Sequence, residues 1–230
     1  MLKVFIGYDP KEADAFEVCA YSLRKHTSIP LGIVPVDQAK LRARGLYTRP
    51  VDEPASTAFA HTRFLVPHLA RYQGWAMFVD CDFLFTKDIN ELGAVMDKSK
   101  AVNVVKHDYK PRAKFKMDGQ PQVGYPRKNW SSLMLFQTER CRMLTPEYVN
   151  SAPPEDLHRF AWMPDADIGE LPLEFNWLEG EYEWENPEPP GAIHFTNGGP
   201  WHTNHKSVRF GDLWVQTLYE MHNHIAGKPQ

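Results

Sequence analysis

An apolar run with two carboxylates in its middle constrains this chain more than any other feature. Trp75-Ala76-Met77-Phe78-Val79-Asp80-Cys81-Asp82-Phe83-Leu84-Phe85 reads as a buried strand that Asp80 and Asp82 interrupt. A buried carboxylate is costly unless it is paired, metal-bound or protonated. In extended chain, residues two apart share a face, so Asp80 and Asp82 are expected to converge while Cys81 turns into the core. Convergent oxygens at a strand's carboxyl end make a seat for a hard divalent cation. The competing reading has Asp82 capping the next turn and Asp80 paired with an arginine.

Around this run, strand-like and helix-like segments alternate. Residues 2–7, 31–36, 75–79, 101–106, 132–137, 171–177 and 192–195 read as strands, and Pro35 puts the second of them at an edge. Residues 11–26, 58–72 and 88–96 read as helices, and 145–160 as short helices broken by Pro146, Pro153 and Pro154. Val208, Phe210, Leu213, Trp214, Leu218 and Met221 mark a closing amphipathic helix. Residues 40–57 and 108–128 read as loops, and the basic segment 106–116 as a candidate lid. This order predicts an α/β chain, one domain over residues 1–230 with a mostly parallel, doubly wound mixed sheet. Ligands of such sheets sit beyond the strands' carboxyl ends, which points to Tyr8-Asp9, residues 80–82, His107-Asp108 and residues 196–202.

Composition narrows the function. Twenty-six Lys+Arg against 29 Asp+Glu leave a formal charge of −3, with no basic block to hold nucleic acid or a membrane surface. Cys19, Cys81 and Cys141 have neither disulfide-framework nor zinc spacing. No apolar stretch approaches the roughly 18 residues of a membrane span. A reduced, cytoplasmic protein that is not an integral membrane protein is therefore expected.

A second constellation is Ala192-Ile193-His194-Phe195-Thr196-Asn197-Gly198-Gly199-Pro200-Trp201-His202, a strand that delivers His194 into a Gly-Gly turn. Glycines let backbone approach a ligand, and turn amides can hold phosphate oxygens. One imidazole with two carboxylates suits Mn²⁺ better than Ca²⁺. His202 and His205 read as exposed polar residues. Trp75, Trp162, Trp177 and Trp214 read as core, and Trp130, Trp184 and Trp201 as cleft walls.

In this order the motifs resemble the family 8 glycosyltransferases, which have the GT-A fold. The strand ending in Tyr8-Asp9 is similar to the family's first nucleotide loop, and residues 60–67, with Arg63, to its helix before the aspartate motif. Residues 131–136 resemble its N-S-G-V-M-L strand. Asp165-Ala166-Asp167-Ile168-Gly169-Glu170 resembles its D-Q-D-x-L-N region, and residues 194–201 its H-x-x-G-x-x-K-P-W. The resemblance implies retaining transfer of a sugar from a nucleotide-diphosphate donor, with UDP as carrier, to a glycan or other hydroxyl acceptor. Asp80, Asp82 and His194 would hold Mn²⁺ (or Mg²⁺). Tyr8, Asp9, Asp80, Gly198 and Gly199 would bind the nucleotide, and Arg63, Asp165 and Asp167 would be catalytic. Residues 1–107 would form a nucleotide and metal half, and residues 108–230 a half for donor sugar and acceptor.

Two departures stand out. The family's Lys before Pro-Trp is Gly199 here, so Lys206, Arg209 or a loop residue would have to supply its charge. The Gln between the family's aspartates is Ala166. These departures support a second reading, a sugar-nucleotide or glycan-binding GT-A-like protein with little or no turnover. The loop after the first strand has one glycine and the chain has no P-loop, which weighs against a nucleotidyltransferase. His202-Thr203-Asn204-His205 only loosely suggests a metal-dependent hydrolase.

Overall fold

A computed structural model describes residues 1–50, 57–108, 126–203 and 207–225. Its elements are β1 (Leu2–Tyr8), α1 (Ala13–His26), β2 (Leu31–Asp37), α2 (Gln38–Ala43), α3 (Val66–Leu69), β3 (Trp75–Val79), β4 (Phe83–Phe85), α4 (Glu91–Val95), β5 (Val102–Val104), β6 (Leu133–Gln137), α5 (Pro146–Ser151), α6 (Pro154–His158), β7 (Ile168–Glu170), β8 (Trp177–Leu178), β9 (Ala192–His194) and α7 (Gly211–Ile225).

The main sheet has six strands in the order β2-β1-β3-β6-β5-β7. β1 pairs in parallel with β2 and β3, β6 runs antiparallel to β3 and β5, and β7 is parallel to β5. Five of the six strands therefore point one way, which is the mixed, mostly parallel sheet expected. β2, with Pro35, lies at an edge, where a missing amide hydrogen is tolerated. A small sheet, β4-β9-β8, abuts the main one. α1 buries Phe16, Cys19, Ala20 and Leu23, a stripe at three- and four-residue spacing, and its last turn carries Arg24, Lys25 and His26. Trp214, Thr217 and Met221 do the same for α7, and Trp214 joins Trp177, Leu84 and Phe195 in a second apolar cluster.

The structure corrects four expectations. Residues 75–85 are not one strand: β3 ends at Val79, and the chain changes sheets through Asp80, Cys81 and Asp82 before β4. The presumed helix 58–72 is a turn, a 3-10 segment (Thr62–Leu65) and the short α3, with Arg71 and Tyr72 left-handed at φ 61° and 53°. Pro67 cannot donate within the run, and the left-handed pair stops it. The presumed strand 171–177 is a 3-10 segment (Leu173–Asn176) between β7 and β8. The presumed loop 40–57 opens with α2, capped by Asp37, whose Oδ1 accepts from the amides of Ala39 and Lys40. His205, Lys206 and residues 109–125 of the basic loop lie outside the described residues. No helix among the described residues is long and apolar enough to cross a membrane.

Candidate metal centre

The change of sheets brings the aspartates to one histidine. The Asp80 amide donates to Ser132 O (2.9 Å), fastening the end of β3 to the start of β6. The Phe195 amide donates to Asp82 O (3.0 Å), fastening Asp82 to the exit of β9. Phe83 is in register with His194, and their rings stack at 4.4 Å. Each of Asp80, Asp82 and His194 then offers a ligand atom, all within 4.8 Å of one another. Cys81, between the aspartates, is fully buried, as the alternation required.

Neighbours fix each of the three. Arg63, buried, sets Nη1 2.9 Å from Asp80 Oδ1 and donates from it to Ser131 O (2.9 Å), while its Nε donates to Phe59 O (3.4 Å). Burial pushes the Asp80 carboxyl up to about 7, against the pull of the Arg63 guanidinium and with a further push from Asp82. His194 Nδ1 lies 3.0 Å from Asn176 Oδ1, which accepts from it, and this sets Nε2 3.3 Å from Asp82 Oδ2. Asn176 Nδ2 donates to Ser132 Oγ (2.8 Å), whose hydroxyl donates to Asn129 O (2.7 Å). Asp82 Oδ1 is buried and makes no hydrogen bond among the described residues. An orphaned carboxylate oxygen beside a second carboxylate and an imidazole nitrogen fits a divalent cation.

The other expected residues are placed unevenly. Tyr8 and Asp9 leave β1 at the same edge of the sheet as Asp80. Asp9 spends Oδ1 on the Lys11 amide (3.0 Å) and Oδ2 on the Ala58 amide (2.9 Å), which makes it a brace of the loop. Gly198, at φ 114°, and Gly199 form the turn after β9. A Cβ on Gly199 would fall 1.9 Å from the Trp201 ring, which packs against Phe195 and Trp214. The ring therefore excludes the family's lysine at this position. Gly199→Ala is expected to cost about 1–3 kcal/mol by overpacking, read in urea unfolding.

Asp165 and Asp167 are not brought to the centre. They precede β7, and the Ala101 amide, at the start of β5, donates to Asp167 O (2.9 Å). Ala101 O in turn meets Gln137 at the far end of β6, whereas Asp80 meets Ser132 at the near end. About 16 Å of strand, at ~3.3 Å per residue, separates the two positions. Arg140 pairs with Asp167 (2.7 Å) and Arg127 with the exposed Asp165 (2.6 Å).

Sequence reasoning missed Glu12 and Asn176. Asn176 had a signal, a polar residue between the buried aromatics Phe175 and Trp177. Glu12 lies buried on the 3-10 turn after Asp9; Cys81 Sγ donates to its Oε2 (3.5 Å), and His202 Nε2 is 3.6 Å from Oε1. Burial, then Asp82 and Asp9, push its carboxyl up to about 7 from 4.5. Below pH 4.5 it is protonated folded and unfolded alike, so it costs nothing. From there to about 7 the unfolded chain has lost a proton the folded chain keeps, and stability falls as pH rises. Glu12→Gln should therefore gain on the wild type across this window and hold the gain above it, as urea midpoints at either end would read. His107, on the other flank, is held neutral by burial, its imidazole pushed down to about 3.

Architecture and site define a class: this is the fold of the GT-A glycosyltransferases, with an acidic pair and a histidine at the edge where the main and small sheets meet. WbbM, a bifunctional glycosyltransferase, aligns with a TM-score of 0.65 at 17% identity, over 96% of this chain and 51% of its own. The galactosyltransferase LgtC, with donor and acceptor sugar analogues, aligns at 0.63 and 10% identity, over 95% of this chain and 96% of its own. GlyE of Streptococcus pneumoniae TIGR4 aligns at 0.60 and 14% identity, over 94% of this chain and 60% of its own. The chain thus spans about half of WbbM and three fifths of GlyE. No protein-family model matches the sequence. Protein CDI of Arabidopsis thaliana is 46% identical over 223 residues, 95% of this chain and 86% of that protein. The chain belongs to the family of Protein CDI.

Proposed function

We propose that the chain is a divalent-metal-dependent glycosyltransferase that moves a sugar, with retention, from a UDP-linked donor to a hydroxyl acceptor. The observation that carries this reading is the buried, unbonded Asp82 Oδ1 beside Asp80 and His194 on a GT-A-type fold. Asp80, Asp82 and His194 would hold Mn²⁺ or Mg²⁺. A bound cation supplies positive charge to the departing diphosphate, which is a poor leaving group until its charge is absorbed.

The chain's own residues do the rest. Arg63 holds Asp80 and the carbonyl of Ser131 through Nη1 and the carbonyl of Phe59 through Nε, so it aims Asp80 and keeps Nη2 for the donor. Asn176 sets the His194 tautomer, and the Ser132–Asn129 chain sets Asn176. Tyr8, edge-on to Phe16 at 5.3 Å, would wall the nucleotide, and the turn at Gly198 and Gly199 would offer backbone to the diphosphate. The donor half would be residues 1–107, with the acceptor taken by residues 108–230. The three cysteines, buried and free of disulfides, agree with a reducing cytoplasmic setting.

The second reading, binding without turnover, is favoured by one observation: the Trp201 ring leaves no room at Gly199 for a side-chain cation toward the diphosphate. Incubation with UDP-sugars, Mn²⁺ and a panel of sugar acceptors separates the two readings. Acceptor-dependent UDP release supports the transferase. Mn²⁺-dependent UDP binding without release supports the binding protein, and absence of both contradicts each.

A further inference from the structure

A second cleft, of about 740 Å³, opens on the other side of the sheet's outer strands. Lys3 and Phe5 of β1 point to the face that carries Val34 of β2, since Phe5 is in register with Val34. α2 and the end of α3 wall this face, contributing Lys40 and Arg44 from one side and His68, Arg71 and Tyr72 from the other. The cleft runs along this face from Lys3, Arg71 and Tyr72, at the amino ends of β1 and β3, to Asp37, in register with Tyr8 at the carboxyl end of β1. The length of β3, about 16 Å at ~3.3 Å per residue, lies between the Arg71 and Tyr72 end and the aspartate turn, and the cleft shares no lining residue with the metal centre.

Its charge is lopsided. Asp37 is the one carboxylate in the lining, and it is already engaged: Oδ1 caps α2 and Oδ2 lies 3.4 Å from Lys40 Nζ. Lys3, Arg44 and Arg71 have neither ion pair nor side-chain hydrogen bond among the described residues. At the rim Arg142, 5.3 Å from the Tyr72 ring centroid, adds a cation and Glu147, close enough to act on His68 and Tyr72, adds a carboxylate, which leaves the cationic excess to Lys3, Arg44 and Arg71. Arg71 and Tyr72 reach the wall through consecutive left-handed residues, closed by amide bonds to His68 O and Pro67 O (both 2.8 Å). Like charges gathered around a concavity repel one another and focus a positive potential that an anion relieves. The floor is apolar, with Val34 40% exposed beside the exposed Pro35. The volume falls in the range of small-molecule sites, roughly 300–1,000 Å³.

We infer that this cleft binds a phosphorylated small molecule, its phosphoryl oxygens taken by Lys3, Arg44 and Arg71 and its body lying on Val34 and Pro35. Guanidinium forks match phosphoryl oxygens in pairs, and neither arginine has a competing partner. The site is separate from the candidate metal centre and stands whether or not the transferase reading does.

Calorimetric titration of the metal-free protein with inorganic pyrophosphate tests it. Saturable binding is expected, weakening as salt is raised and reduced at least tenfold by Arg44→Glu with Arg71→Glu, while Asp82→Asn leaves it unchanged. Both arginines are exposed, and the urea midpoint of the double variant checks that its fold is retained. No saturable binding, equal binding by the double variant, or loss in Asp82→Asn would overturn the inference. Co-sedimentation with phosphatidylcholine vesicles carrying a phosphoinositide forms the second arm. Capture by vesicles without binding of pyrophosphate would transfer the cleft to a lipid surface and also overturn it.

Discussion

Asp82→Asn is expected to abolish metal-dependent turnover, with at least a hundredfold loss, and to leave the apo fold as stable as before or more so. The two effects have one source. Asp82 offers a buried oxygen that no group among the described residues satisfies, so in the absence of a cation its charge is a liability. That charge also helps push Asp80 and Glu12 up to about 7 each. A neutral amide of the same shape relieves both neighbours and removes an anionic ligand. Metal-site partners one shell further out already cost about 10–100-fold when mutated, so a direct ligand should cost more. Steady-state rates with varied Mn²⁺, set beside urea unfolding without metal, read the two effects. A parallel loss of stability and rate would mean that Asp82 is a structural residue.

Arg63→Ala is the largest stability change expected outside the apolar core. Arg63 is buried, its partner Asp80 is mostly buried, and its Nη1 and Nε also hold the carbonyls of Ser131 and Phe59. Removing one member of a buried pair typically costs about 3–5 kcal/mol, because the other is left without compensation. For a chain of this length each kcal/mol moves Tm by about 2–4 °C, so a drop of roughly 6–20 °C is expected. Asp80 would then stay protonated to still higher pH, weakening metal binding as well. Arg63→Lys should recover only part, since an ammonium can meet Asp80 but cannot span both carbonyls. Full recovery by lysine in calorimetry would show that charge alone, and not the fork, matters at this position.

The strands most legible in the sequence were those whose burial is two-sided. β1 and β3 are continuous apolar runs because helices or loops cover both faces, and Pro35 marked an edge because only an edge tolerates it. The grouping of Asp80, Asp82 and His194 was also legible, from carboxylates in an apolar run and a histidine at a strand's end. The change of sheets at Asp80 was not, since Phe83, Leu84 and Phe85 are as apolar as the strand before them. The misplacement of Asp165 and Asp167 has a different cause. A short acidic motif fixes no position in space, and only the pairing of β5 with β7 reveals which edge it occupies. Glu12 escaped because an acidic residue at a helix start is ordinarily exposed and favourable there. Its burial against Cys81 and His202 depends on contacts 69 residues or more away in sequence.

The central claim, that Asp80, Asp82 and His194 form one cation site that presents metal to a nucleotide diphosphate, is tested most directly by electron paramagnetic resonance. Titrating Mn²⁺ should fill one site per chain, and adding UDP should tighten it and broaden the ³¹P lines of the bound diphosphate. Both signals should vanish in Asp82→Asn. Full Mn²⁺ occupancy in that variant, or UDP binding indifferent to Mn²⁺, would contradict the account.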